Sequence, residues 1–192
     1  MKKKLTYTNR KGNAYFFREV TGKRGTRIAC SQKESVNDLT ELPETHEIAE
    51  TPNGQVSCRK KLVSEIFPEE LALARKICAK RVKKGVRVAV ELKKKAIIIH
   101  SADSSGEKKL AEMMRQFNPV NLSHLDSFLE ARLYFEAVLK LELTDKADRI
   151  FSIERMCWTG GCDWLFLDEG SLPKLLKKYV PHIEQESFFE LI

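Results

Sequence analysis

The sequence has no apolar run long enough to span a lipid bilayer, and Met1-Lys2-Lys3-Lys4 leads into polar residues rather than an apolar signal core. We therefore expect a cytoplasmic protein without a membrane partner. Cysteine is sparse: five cysteines, an odd number, are spread over 192 residues, so a disulfide framework is not expected. With 42% hydrophobic residues, the chain is long and apolar enough to bury a core without cross-links.

The signatures of several enzyme classes are also missing. There is no Gly-x-Ser-x-Gly elbow, no glycine-rich phosphate loop of the Walker type and no dinucleotide-binding fingerprint. These absences disfavour nucleophilic hydrolysis, nucleotide hydrolysis and hydride transfer. We therefore favour a non-catalytic role and predict no cofactor.

Positive charge is unevenly distributed along the chain. The formal net charge is +7, and it belongs to residues 1–33 and 59–95, each of which carries a net charge of +9. Residues 34–58 contain six acidic residues and no Lys or Arg, and residues 96–192 carry −5. Basic segments that share a surface attract polyanions, of which nucleic acid is the commonest in cells. The alternative is that the acidic segment 34–58 folds against the basic segments and neutralises them internally.

Turn residues and periodicity predict an α+β fold of antiparallel β-hairpins with three to four short helices, in one domain or two subdomains. Glycines 22 and 25 indicate one hairpin, and Pro52-Asn53-Gly54 indicates a second. Pro68-Glu69-Glu70 begins a helix with apolar residues at helical spacing. Two further short helices are expected within 108–117 and from Ser123 onwards.

The polar stretch 101–106 is the predicted boundary between two halves of opposite charge. The basic half, 1–100, contains the first hairpins and the helix over 68–84. The acidic half, 107–192, contains a hairpin over 133–158 and a helix over 171–180.

Aromatic and turn residues recur in five stretches of the chain. These are Tyr15–Phe17, Pro52–Val56, Arg149–Arg155, Asp163–Asp168 and Glu186–Ile192. Together they resemble a family of small uncharacterised bacterial proteins, which implies a bacterial protein but no activity and no site residues. More locally, the basic strand Tyr15–Arg18 and its Gly-Lys-Arg-Gly turn are similar to the small β-sheet DNA-binding modules at the front of some phage integrases.

We predict that the protein binds nucleic acid through a basic β-hairpin and a basic helix. Cations on phosphates supply affinity, and exposed aromatic rings stack on bases. The predicted contacts are Arg10, Lys11, Arg18, Lys23, Arg24 and Arg27 around the first hairpin, and Lys80, Arg81, Lys83 and Lys84 on the helix. The aromatic candidates are Tyr7, Tyr15, Phe16 and Phe17. The alternative is that these rings form the buried face of the hairpin.

Two short patterns suggest metal chemistry. Glu91-Leu92-Lys93 matches the Glu-x-Lys part of a restriction-type nuclease core, in which acids hold Mg²⁺ and a Lys stabilises developing charge. The alternative is a solvent-facing ion pair between Glu91 and Lys93.

Cys157 and Cys162 are candidate zinc ligands, although no second Cys pair or His pair completes the set. We therefore predict no metal and keep a Mg-dependent nuclease as the least favoured function.

The acidic C-terminal half offers a function of another class. It closes in Phe188-Phe189-Glu190-Leu191-Ile192, and apolar residues at a chain end are favourable only when they are buried. They could dock a protein partner or a second copy of the chain. The alternative is that they pack onto their own domain.

Overall fold

The computed structural model describes residues 3–23, 25–102, 131–157, 161 and 163–191. The chain forms two compact units. Unit 1 comprises Met1–Leu62 and Ser123–Arg132, and unit 2 comprises Val63–Leu122 and Leu133–Ile192. Among the described residues, no helix has the length and apolar character needed to cross a membrane.

Unit 1 contains five described strands in two antiparallel sheets. The first sheet has the order β1 (Thr6–Thr8), β2 (Ala14–Gly22) and β3 (Gly25–Ser31), and the second pairs β4 (His46–Glu50) with β5 (Val56–Lys60). Gly25 (φ 107°) and Gly54 (φ 78°) occupy the turns in backbone conformations that favour glycine. Both hairpins predicted for this part of the chain are confirmed. The three-residue strand β1 was not predicted, because it is too short to show an alternating pattern.

Phe17 lies at the centre of unit 1. It is fully buried, and its cross-strand neighbour is Cys30 on β3. The Cys30 Sγ donates to the carbonyl oxygen of Val56 at 2.9 Å, which links β3 to β5. The Tyr7 hydroxyl donates to the Glu50 carboxylate at 2.6 Å and links β1 to the end of β4. These two hydrogen bonds therefore join the two sheets of unit 1.

Unit 2 contains a five-stranded antiparallel sheet whose strands follow one another in chain order. The strands are β6 (Arg87–Leu92), β7 (Ala96–Ala102), β8 (Glu136–Asp145), β9 (Ile150–Cys157) and β10 (Asp163–Ser171). The helices described in this unit are α1 (Pro68–Arg81) and α2 (Leu172–Tyr179), followed by 3₁₀ turns over Val180–His182 and Glu186–Phe188. The α+β class with antiparallel pairing is confirmed.

The core of unit 2 lies between one face of this sheet and the two helices. Alternate residues of β8 and β9 point to that face and are buried: Leu139, Leu141, Leu143, Phe151 and Ile153. The helices contribute Ala74, Ile77, Cys78, Leu172, Leu175, Leu176 and Tyr179. Burial of each large side chain contributes about 2 kcal/mol. The intervening residues of β8 and β9, such as Lys140 and Glu154, point to the opposite face and form ion pairs there.

Helix α1 begins where its sequence predicts and ends earlier. Pro68 occupies the first turn, where a missing N–H costs nothing. The Glu70 carboxylate accepts a hydrogen bond from the Phe67 N–H at 2.8 Å. The helix ends at Arg81 rather than at residue 84, because Val82 turns to an extended conformation. The Val82 N–H still donates to the Cys78 carbonyl oxygen, at 3.2 Å.

The prediction of three to four helices is not confirmed. The structure describes two α-helices, α1 and α2. The two other helices were predicted within 108–117 and from Ser123 onwards, and these segments lie outside the described residues.

The predicted boundary at 101–106 does not coincide with the compact units. Strand β7 reaches into this stretch and β8 follows it, and the two strands pair, with Ile99 opposite Leu139. The divisions between the units fall after Leu62, Leu122 and Arg132.

Arg149 ties the β8–β9 turn to the start of α1. Its guanidinium makes a bidentate contact with Glu70. The Nε atom donates to Oε1 at 2.9 Å, and the terminal nitrogen Nη2 donates to Oε2. The same group lies 4.1 Å from the centre of the Phe67 ring. Both charged side chains are largely buried, with 24% and 16% of their surface exposed. Such a pair fixes the position of α1 on the sheet.

Replacing Arg149 tests this link. We expect Arg149→Met to lower the free energy of unfolding by about 2 kcal/mol, because the Glu70 carboxylate stays largely buried without its partner. Urea denaturation followed by circular dichroism measures the change. The control is Arg75→Met, which removes an exposed arginine of α1 and should change stability by no more than about 0.5 kcal/mol. Equal stability of the two variants would contradict this role for Arg149.

Candidate nucleic-acid interface

The outer face of α1 and the turn after it form a basic surface. Residues 75–84 contain six cations and no carboxylate. Ala74, Ile77 and Cys78 face the core, so the charged side chains are turned to solvent. All six are exposed: Arg75, Lys76, Lys80, Arg81, Lys83 and Lys84. None of them forms an ion pair with another described residue. We call these six residues the α1 ridge.

The β2–β3 hairpin presents fewer free cations than the sequence predicts. Lys23 at the tip and Arg27 on β3 are exposed. Arg24, predicted beside them, lies outside the described residues. Lys11 is exposed too, and its aliphatic stem packs close to Gly54.

Arg18 is held within unit 1. Its Nε lies 3.1 Å from Oδ1 of Asp38, an ion pair that is not aligned as a hydrogen bond, and its terminal nitrogen donates to the Lys33 carbonyl oxygen. The Asp38 side chain is fully buried, and its other oxygen accepts from the Ser35 N–H at 2.6 Å. Arg18 therefore stabilises the segment after β3 and is not free to contact phosphate.

Arg10 is partly buried: its backbone N–H donates to Glu50 at 2.8 Å, and burial lowers the pKa of its guanidinium. The neighbouring loop is organised by Asn9, which is buried. The Asn9 side chain accepts from the N–H groups of Lys11 and Asn13 and donates to the Gly54 carbonyl oxygen at 2.6 Å. This part of unit 1 is thus built by hydrogen bonds within the protein.

The acidic segment 34–58 lies within unit 1 and neutralises some of the basic residues there. Its ion pairs in the described structure are Lys4–Glu34, Arg18–Asp38 and Arg59–Glu47. Lys4, Arg18 and Arg59 are therefore neutralised by carboxylates of the protein itself. Sequence reasoning missed the individual partners, although the uniform negative charge of the segment was a signal for them.

The aromatic residues of the first hairpin serve packing more than stacking. Phe17 is fully buried, and Tyr7, Tyr15 and Phe16 are partly buried. The Tyr7 hydroxyl is bound to Glu50, which raises the pKa of the phenol. The Tyr15 hydroxyl accepts from Gln32 at 3.1 Å. A row of exposed rings for base stacking is not present among the described residues of this hairpin.

The Glu91-x-Lys93 pattern forms an ion pair on the face of the unit 2 sheet that points away from α1 and α2. One Glu91 oxygen lies 2.5 Å from Lys93 Nζ, and the other lies 3.1 Å from Nε2 of His100. Glu69, an acidic residue upstream of this pattern, lies in the first turn of α1. Within the described ranges, no group of three or more His, Cys, Asp or Glu residues is arranged to hold a metal ion. The solvent-face alternative thus describes Glu91 and Lys93.

The described cysteines are not gathered into a metal centre. Cys157 ends β9, and Cys162 lies outside the described residues. Burial raises the pKa of the Cys58 thiol, and it raises the pKa of Cys78 to about 12. The Cys78 thiol therefore stays protonated at neutral pH and acts as a small core side chain.

The C-terminal residues pack back onto unit 2. Phe188 is buried in the core, while Phe189 remains 62% exposed. Arg155, itself buried, donates to the carbonyl oxygens of Leu191 at 2.8 Å and Phe189 at 3.3 Å. The alternative of intramolecular packing accounts for Phe188.

Comparison of the chain with models of protein families, with curated proteins and with solved structures finds no match. Neither resemblance drawn from the sequence is supported by a match. The function must therefore be argued from the geometry of these surfaces.

The burial of His100 makes stability depend on pH. Burial, the larger effect, lowers the pKa of His100 below its usual value of about 6.5, although the Glu91 carboxylate acts in the opposite direction. The unfolded chain then binds the proton more readily, so this contribution is present above about pH 6.5 and is lost as pH falls through the folded pKa.

We expect acidification from about pH 8 to about pH 5 to destabilise the wild type more than His100→Gln, which lacks the titrating group. Urea denaturation at both pH values measures the two differences. An equal loss in both proteins would show that His100 is not responsible.

Proposed function

We propose that the protein is a non-catalytic nucleic-acid-binding protein and that the α1 ridge is its main contact surface. The observation that carries the proposal is the ridge itself: six exposed cations without a carboxylate in residues 75–84. Several other cations of unit 2 are matched by acids, as in Arg149–Glu70, Lys140–Glu154 and Lys178–Asp168. An unmatched row of cations on a rigid helix is what binding to a phosphate backbone requires.

The mode of binding is phosphate contact rather than base readout. Lysine and arginine release condensed counterions from the nucleic acid, so affinity falls steeply with salt. The α1 ridge carries no aromatic residue, and the rings of the first hairpin are packed within unit 1. We therefore expect little preference for base sequence.

The β2–β3 hairpin is proposed as a second, smaller contact. Lys23 and Arg27 remain exposed, whereas Arg10 is partly buried and Arg18 is paired with Asp38. Each free cation adds about one phosphate contact at most. Lys23→Glu with Arg27→Glu should therefore weaken binding less than the corresponding change in the α1 ridge.

The central experiment is charge reversal on α1. Lys80→Glu with Lys83→Glu should weaken binding of labelled DNA or RNA by at least about tenfold and reduce the salt slope by about two, because two phosphate contacts are lost. Fluorescence anisotropy at several salt concentrations measures both quantities. Circular dichroism checks that α1 remains folded, since a carboxylate near its C-terminus opposes the helix dipole.

The matched control reverses two lysines on the other helix. Lys174 and Lys177 are exposed on α2, form no ion pair with a described residue and give the same change in net charge. Lys174→Glu with Lys177→Glu should change affinity by only about twofold, through the long-range field. An equal loss of affinity in both double variants would show that only the net charge matters, and it would refute a site on α1. A wild type that binds no nucleic acid in low salt would refute the function.

A further inference from the structure

Unit 2 contains an open cavity of about 260 Å³ beside the C-terminal residues. Its walls are Glu136, Val138, Glu184, Phe188 and Phe189. Val138 and Phe188 are buried and provide an apolar floor. The cavity thus combines two carboxylates with two phenyl rings and an apolar base, and it lies outside the surface proposed above for nucleic acid.

The two carboxylates are not neutralised within the described structure. Neither Glu136 nor Glu184 forms an ion pair with a described residue, whereas other acids of the same unit do, namely Glu70, Glu91, Glu154 and Asp168. Glu184 is also held in place: the Ser101 hydroxyl, which is buried, donates to its Oε1 at 2.6 Å. A positioned carboxylate at the mouth of an apolar cavity favours a positively charged ligand.

The aromatic wall is fixed by the backbone. The rings of Phe188 and Phe189 meet edge to face, with centroids 5.8 Å apart. Arg155 binds the Phe189 carbonyl oxygen and so holds the tail against the sheet. Phenyl rings attract cations through the negative potential of their faces. Carboxylates and rings around one cavity therefore favour the same class of ligand.

We propose that this cavity binds an organic cation, namely an ammonium group on a short apolar stem. The stem would lie along Val138 and the phenyl rings, and the ammonium would donate to Glu136 and Glu184. A cavity of about 260 Å³ has room for several water molecules, and therefore for a short aliphatic ammonium. A free polyamine such as spermidine and the side chain of a lysine in a peptide share this chemistry.

Isothermal titration calorimetry with spermidine tests the site in the full chain. Glu136→Gln and Glu184→Gln should each weaken binding by about tenfold, or about 1.4 kcal/mol, because each removes a charge while keeping side-chain size. In Glu184→Gln the new amide oxygen can still accept from the Ser101 hydroxyl, so the fold is preserved. The matched control is Glu190→Gln, an exposed glutamate that does not line the cavity and should leave affinity within about twofold.

Two further probes define the ligand. A blocked Gly-Lys-Gly peptide presents the ammonium on a peptide side chain, and tighter binding of this peptide than of spermidine would assign the site to a protein partner. The opposite order would assign it to a free polyamine. An uncharged diol of the same length as spermidine should not bind. The proposal is overturned if neither cation binds, if the diol binds as well as spermidine, or if Glu190→Gln weakens binding as much as Glu136→Gln and Glu184→Gln.

Discussion

The apolar face of the five-stranded sheet must be covered by α1 and α2, and this requirement fixes the orientation of both helices. Ala74, Ile77 and Cys78 can meet Ile99 and Leu141 only if the opposite side of α1 faces solvent. The six cations of residues 75–84 are on that opposite side or in the turn that follows. Their exposure is therefore a consequence of core packing, which costs far more to disrupt than any surface charge contributes. Arg149 completes the arrangement by holding the start of α1.

The two basic segments of the sequence have different fates because their neighbours in the chain differ. The first is followed by a segment with six acidic residues. Of these, Asp38 forms an ion pair with Arg18, and Glu50 accepts a hydrogen bond from the backbone N–H of Arg10. The second has acids only near the start of α1 and on the sheet, and Glu70, the acid nearest to the α1 ridge, is paired with Arg149. Positive charge in a sequence is therefore a poor measure of available charge in a fold. What remains exposed depends on which carboxylates can reach each cation.

Local patterns in the sequence predicted most of the described secondary structure. The Asn53-Gly54 turn, the alternation along β6 and the Pro68 helix start are each decided within a few residues, and the structure has all three. Pairing of β7 with β8 was not predictable in this way, since the strands are distant in sequence. The same reason hid the cavity, whose residues come from separate parts of the chain. The ion pair of Arg18 was not predicted, because its partner, Asp38, lies in a later segment of the chain.

The chain-order arrangement of the unit 2 sheet bears on how the protein folds. Each strand from β7 to β10 pairs with the one before it, so every new strand can add to an edge that is already formed. Most of these steps close short turns, which form within microseconds. The step from Ala102 to Glu136 spans the longest connection and carries the largest loop-closure entropy. That entropy grows only with the logarithm of loop length, so changes in the length of this connection should alter the folding rate little. Lengthening the Lys94–Lys95 turn, in contrast, would affect the hairpin with which the sheet begins.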